Sequence, residues 1–218
     1  MELNTAEPIR DKKNLLEIKE YYKEVKPVPR NYLLITLGLN TALRISDILE
    51  LTWKDIYDEG LGEYQKHIHI VEQKTWKISQ IYINQSIREA LDWYKESEWY
   101  NQSEWIFWSR GNVDKHISRM QAHRIIKEAA EYYHMEGVIS CHSLRKSFGY
   151  YAWKQGISPV MLMNIYNHSS YQVTKRYLGI EQDDRDQVFQ KITLYNPLFD
   201  SSALLLRVQT FHLSSSLL

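Results

Sequence analysis

The sequence predicts a mainly α-helical chain with one small antiparallel β-sheet, an α+β fold. Three observations carry this. Apolar residues recur at helical spacing through most of the chain, strict alternation is confined to two short runs near the middle, and helix-capping or breaking residues separate the helical stretches.

In order, Leu15, Leu16, Ile18, Tyr21, Tyr22 and Val25 mark an amphipathic helix over 12–25, which Pro27 and Pro29 end. A second helix runs from about Asn31 through Leu39 and a third from about Arg44 to Leu51. The period then changes. His67-Ile68-His69-Ile70-Val71 and Gln80-Ile81-Tyr82-Ile83-Asn84 read as strands of a hairpin whose tip, within 72–79, is rich in lysine. Ser86 is the expected N-cap for a helix over 87–95, and a longer helix covers about 118–133. Another helix follows Ser143, and Ser158-Pro159 supplies a cap with proline at the first helical position. Ser169 or Ser170 caps a short helix carrying Tyr177, and a last one spans about 183–192. The expected domain is 1–192, with 193–218 a Ser- and Leu-rich tail that could dock on a neighbouring subunit through Leu204-Leu205-Leu206.

With 218 residues, 44% hydrophobic and 25% charged, the chain has the composition of an ordinary globular domain, and 16 Tyr and 7 Trp can fill its core. No apolar run approaches the roughly 18 residues of a membrane helix, and Met1-Glu2-Leu3-Asn4 is no signal peptide. A single cysteine, Cys141, excludes an internal disulfide and a Cys-based metal cluster; a cytoplasmic setting fits. Basic and acidic residues balance at 27 each, yet no acidic residue lies between Glu136 and Glu181, where two Arg, three Lys and two His are found. That segment suits an anion, and a DNA backbone is the polyanion in view; a solvated basic face is the plainer alternative.

Taken singly, the candidate residues are ordinary. His142 and Arg145, three apart at a helix start, share a face, and a guanidinium suits phosphate oxygens. Arg44 could equally pair with Asp47 or Glu50 on the surface. Lys74 could be a turn lysine, His168 a satisfied half-buried histidine, and Tyr177 one of many packing tyrosines. His67 and His69 alternate on one strand face but lack a third metal ligand nearby.

The ordered set is more specific. Thr41-Ala42-Leu43-Arg44-Ile45-Ser46-Asp47-Ile48, a lysine on a central hairpin, His142-Ser143-Leu144-Arg145, Asn167-His168-Ser169-Ser170 and Thr174-x-x-Tyr177 resemble the tyrosine recombinase (phage integrase) family over about 31–192. The resemblance implies that family's catalytic-domain fold and a site-specific recombinase, with Arg44, Lys74, His142, Arg145, His168 and Tyr177 as catalytic residues. Tyr177 would attack a phosphodiester and form a 3′-phosphotyrosyl link. Arg44, Arg145 and His168 would hold the non-bridging oxygens, Lys74 would protonate the leaving 5′-oxygen, and His142 would relay the tyrosine proton. Lys77 competes with Lys74 for the acid role. No metal, ATP or other cofactor is implied.

Expected partners are double-stranded DNA and further copies of the chain on paired sites. Lys77, Arg119, Arg124, Lys146, Lys175 and Arg176 are candidate DNA contacts, as are His116 and His123. Only 43 residues precede Arg44, room for two helices rather than the separate N-terminal clamp domain common in the family. A catalytically silent DNA-binding module of the same fold and a type IB topoisomerase-like enzyme are the competing readings.

Overall fold

A computed structural model describes residues 6–74, 77–100 and 102–192; the expected tail over 193–218 lies outside them. The chain divides into two units at Gly179–Ile180. The first carries α1 (Lys12–Glu20), a π-helical turn (Tyr21–Val25), α2 (Pro29–Asn40), α3 (Ile45–Leu49), α4 (Gln85–Lys95), α5 (Arg119–Tyr132), α6 (Cys141–Lys154), α7 (Pro159–Tyr166) and α8 (Tyr171–Leu178). The described part of the second is α9 (Glu181–Lys191). Among the described residues the strands form three two-stranded antiparallel sheets: β1 (Tyr57–Asp58) with β2 (Glu63–Tyr64), β3 (His67–Val71) with β4 (Ile78–Tyr82), and β5 (Trp108–Ser109) with β6 (Asn112–His116).

The mainly helical class with small antiparallel pairing is as the sequence predicts, with differences in detail. Pro29 opens α2 instead of closing the preceding helix, because at the first helical position its missing N–H is one the helix cannot use anyway. The first helix ends in a π turn, and both Tyr21 and Tyr22 are buried there; Tyr22 Oη donates to Glu128 Oε2 at 2.9 Å. The return strand is Ile78–Tyr82, pairing Val71 with Ile78 and His67 with Tyr82. Asn84 falls beyond it and caps α4 in place of Ser86, its Oδ1 accepting from the Ile87 N–H at 3.0 Å. β1, β2 and β5 span only two residues each, too few for alternation to register, so two hairpins were not foreseen.

Helix α2 is the centre of the first unit. Leu33, Leu34, Ile35 and Leu37 are fully enclosed, each contributing about 1.5–3 kcal/mol by burial, and α1, α4, α5 and α6 pack around them. Gly38 allows α6 to approach: a Cβ there would lie 2.7 Å from Leu144 Cδ1. Gly149 does the same on the other side of α6, where a Cβ would lie 2.5 Å from Leu178 Cδ2 and 2.6 Å from Tyr166 Oη. These two contacts hold α6 between α2 and the α7–α8 pair, and so set where residues of α6 and α8 meet.

Candidate active site

Ser140 starts α6 with a reciprocal capping box: its Oγ accepts from the His142 N–H at 3.2 Å, and Ser143 Oγ accepts from the Ser140 N–H at 3.1 Å. This places the cap three residues before Ser143. It leaves His142 exposed in the first turn and turns Arg145 inward, where it is 5% exposed. Arg145 Nη1 donates to the Ala42 carbonyl and Nη2 to the Tyr166 carbonyl at 3.5 Å, while its guanidinium lies 4.7 Å from the Tyr166 ring centroid. Ala42 adopts a left-handed conformation with φ 55°, unusual for a non-glycine residue, at the turn between α2 and Arg44.

Arg44 is the N-cap residue of α3. Its partner is neither of the two carboxylates suggested by sequence spacing. Asp47 Oδ1 accepts from the Gln73 N–H at 3.1 Å and Glu50 accepts from the Gln73 side chain, so both hold the hairpin. Arg44 Nη1 instead donates to Glu72 Oε2 at 2.5 Å. Glu72 is buried at 4% exposure, and its other oxygen accepts from Ser79 Oγ at 2.6 Å and from Asn167 Nδ2 at 2.9 Å. Burial alone would raise this carboxyl, but hydrogen bonds from Ser79, Arg44 and Asn167 outweigh it and hold it below the ordinary glutamate value. Asn167 closes α7 in a left-handed conformation (φ 55°), and its Oδ1 accepts from Lys77 Nζ at 2.7 Å. Lys74 stands exposed at the hairpin tip; Thr75 and Trp76 beside it lie outside the described residues.

On the opposite side, three rings converge. The His168 ring stacks on Tyr166 with centroids 5.4 Å apart and meets Tyr177 edge-on at 5.0 Å. His168 Nδ1 is 3.1 Å from Thr174 Oγ1, one turn before Tyr177 on α8. Burial, then Arg145 and Arg44, lower the His168 pKa, and burial followed by Arg145, Lys146, Arg44 and Lys74 lowers that of His142. Tyr177 Oη is buried with no hydrogen-bond partner among the described residues. Burial raises its pKa above the ordinary tyrosine value, against the charge and close approach of the Arg145 guanidinium, which stops short of a well-formed hydrogen bond, and then the charge of Arg44. Lys146 Nζ lies 5.2 Å from the Tyr177 ring centroid.

The fold therefore brings Arg44, Arg145, His168 and Tyr177 into one cluster, with His142 and Lys74 within electrostatic reach. The sequence reading missed Glu72, Asn167 and Tyr166. A carboxylate at the start of a lysine-rich hairpin tip is the one signal that pointed toward Glu72. Of the proposed DNA contacts, Lys77 is engaged by Asn167, Lys146 sits over Tyr177, and Lys175 Nζ lies 5.0 Å from the Tyr171 ring centroid. Arg119, Arg124 and Arg176 are exposed, Arg124 reaching Met120 Sδ at 3.4 Å. His116 Nδ1 is 2.8 Å from the Ile117 carbonyl oxygen, and His123 is half-buried on α5. Burial pushes the Cys141 thiol up to about 11, which leaves it unreactive near neutral pH. Among the described residues no cluster of three His, Cys, Asp or Glu could hold a metal, and no helix is long and apolar enough to cross a membrane.

The family model of the phage integrase family matches residues 11–183. The probable integrase/recombinase YoeC of Bacillus subtilis (strain 168) is 36% identical over 181 residues, 83% of this chain and 93% of that protein. Among solved structures, the XerA recombinase superposes with a TM-score of 0.67 at 16% identity, covering 88% of this chain and 68% of that one. A lambda integrase tetramer bound to a Holliday junction superposes with a TM-score of 0.61 at 19% identity, covering 81% of this chain and 49% of that one.

Proposed function

The chain belongs to the phage integrase family, and we propose that it is a tyrosine-type site-specific recombinase that cuts and rejoins DNA through a 3′-phosphotyrosyl intermediate on Tyr177. The observation that carries this is the Tyr177 hydroxyl: buried, without a hydrogen-bond partner among the described residues, and within the field of two arginines. A merely structural tyrosine at this depth normally satisfies its hydroxyl. A nucleophile has reason to keep it open.

The chemistry follows from the groups around it. A non-bridging phosphate oxygen held by Arg44 and Arg145 sits in a fixed cationic field that grows more favourable as charge accumulates on five-coordinate phosphorus. His168, oriented by Thr174, donates a further hydrogen bond, and His142, neutral because its pKa is lowered, accepts the phenol proton. Lys74 delivers a proton to the leaving 5′-oxygen. The covalent link conserves the bond energy, so rejoining needs no ATP, and the cations do the work a metal does elsewhere. Residues 1–192 form the catalytic domain in this reading. Double-stranded DNA is the substrate. Four copies meet on two paired duplexes in the cytoplasm, a reading supported by the lambda integrase tetramer bound to a Holliday junction.

The test is capture of an SDS-resistant adduct on nicked suicide duplexes with a randomised central sequence. Adduct in excess EDTA, lost in Tyr177→Phe, supports the reading, and joined recombinant products separate it from a topoisomerase. A folded chain that captures no adduct is a silent DNA-binding module.

A further inference from the structure

Glu72 is out of place in a site meant for a polyanion. Arg44, Arg145 and Lys74 are cationic, and a buried carboxylate paired directly with Arg44 works against phosphate binding. A site shaped for binding alone gains nothing from it. Yet this carboxylate joins three segments distant in sequence: α3 through Arg44, the β3–β4 hairpin through its own backbone and Ser79, and the end of α7 through Asn167. Asn167 passes the connection on to Lys77, and it immediately precedes His168.

We propose that Glu72 is a positioning residue for strand cleavage, which fixes Arg44, the lysine-bearing hairpin and the Asn167–His168 turn as one unit before DNA arrives. This rests on the recombinase reading above. The physical reason is orientational. Arg44 has a long, flexible side chain on a short helix, and the catalytic lysine lies on a two-stranded hairpin, an element with little stability of its own. Tying one guanidinium edge to Glu72 Oε2 directs the rest of the group toward the phosphate. Tying Asn167 to Oε1 keeps the hairpin and the His168 turn in register with it. The carboxylate weakens substrate binding somewhat and accelerates the reaction by removing the search for geometry.

Glu72→Gln separates this from a packing role. Ser79 and Asn167 both donate to Oε1, which the amide oxygen reproduces. The amide nitrogen then faces Arg44, donor against donor, so the substitution releases Arg44 while keeping the hairpin in place. The expected result has two opposite signs. Equilibrium binding to a generic duplex is unchanged or tighter, since a negative charge is gone. Adduct formation at saturating DNA slows on the order of 100-fold, the scale of an ångström-sized misplacement. A second variant, Ser79→Ala, loosens Glu72 without changing charge; it should slow adduct formation less and leave binding unchanged, with both melting temperatures recorded.

Wild-type cleavage rates in Glu72→Gln, with the wild type forming adduct, overturn the positioning role alone. So does a cleavage loss matched by weaker binding and a lowered melting temperature in both variants, which marks a structural role. A wild-type chain that binds duplex but forms no adduct overturns the recombinase reading and this inference with it.

Discussion

Arg145 and Tyr166 grip each other from both ends. The Tyr166 hydroxyl donates to the Arg145 carbonyl at 2.6 Å, and the Arg145 guanidinium lies over the Tyr166 ring at 4.7 Å while donating to its carbonyl. One arginine of the site is thus built into the core, whereas Arg44 is fixed by a charge pair at the edge. Tyr166→Phe keeps the ring but loses the hydroxyl, and should cost about 1 kcal/mol of stability in urea unfolding with cleavage little changed. Tyr166→Leu removes the ring as well and should also impair cleavage. Equal behaviour of the two variants would refute the stacking role.

Tyr177→Phe should abolish the covalent adduct while leaving duplex binding nearly unchanged. Because the hydroxyl is buried without a well-formed hydrogen bond among the described residues, its removal should leave stability unchanged or raise it by up to about 1 kcal/mol. A clear loss of stability in calorimetry would mean that the oxygen has a structural bond. An adduct in the Phe variant would move the nucleophile to another tyrosine, with Tyr171 first in line.

Gly149→Ala tests the contact that sets α8 against α6. Alanine gains about 1 kcal/mol of helix propensity, but its Cβ meets Leu178 and Tyr166 at 2.5 and 2.6 Å, and overpacking of that kind costs about 1–3 kcal/mol. Net destabilisation with slower adduct formation is expected, partly relieved in the double variant with Tyr166→Phe. Unchanged melting and cleavage would show that α8 yields freely.

Lys74→Ala should slow cleavage strongly on an ordinary substrate and little on one whose 5′-bridging oxygen is sulfur, since a thiolate leaves without a proton. Lys77→Ala should show no such rescue, because Lys77 is engaged with Asn167. Rescue at Lys77 instead would transfer the acid role there.

Stability should fall on mild acidification. Half-buried His168 is held below the ordinary histidine value, first by burial and then by Arg145, and surface-exposed His142 in the same direction but with its charges more screened by solvent, so the unfolded chain protonates before the folded one. Stability is therefore greatest above about pH 6.5, drops as pH falls through that unfolded value, and levels off once the folded histidines are charged. Melting temperatures between pH 7.5 and 5.5 should decline, and His168→Gln should flatten the decline; an unaltered slope would remove His168 from the linkage.

The sequence by itself determined the elements whose signals are local. The Ser158 cap, the helix from about Ser118, a cap at Ser169 or Ser170 (Ser170 in the structure), the first hairpin strand from His67 to Val71 and the helical class all follow from spacing and cap chemistry within a few residues. The motifs around Arg44, His142, Arg145, His168 and Tyr177 were legible only as an ordered set, through their resemblance to the phage integrase family. Only the tertiary structure decided how Arg44 is held. Its neighbours Asp47 and Glu50 are near in sequence but turn to the hairpin, and the charge pair is made by Glu72, 28 residues away. The buried Tyr177 hydroxyl, without a well-formed hydrogen bond among the described residues, and the Arg145–Tyr166 clasp were likewise invisible, because burial and hydrogen-bond satisfaction depend on which elements meet. Cap and periodicity signals act along the chain; the field that tunes a nucleophile acts across space.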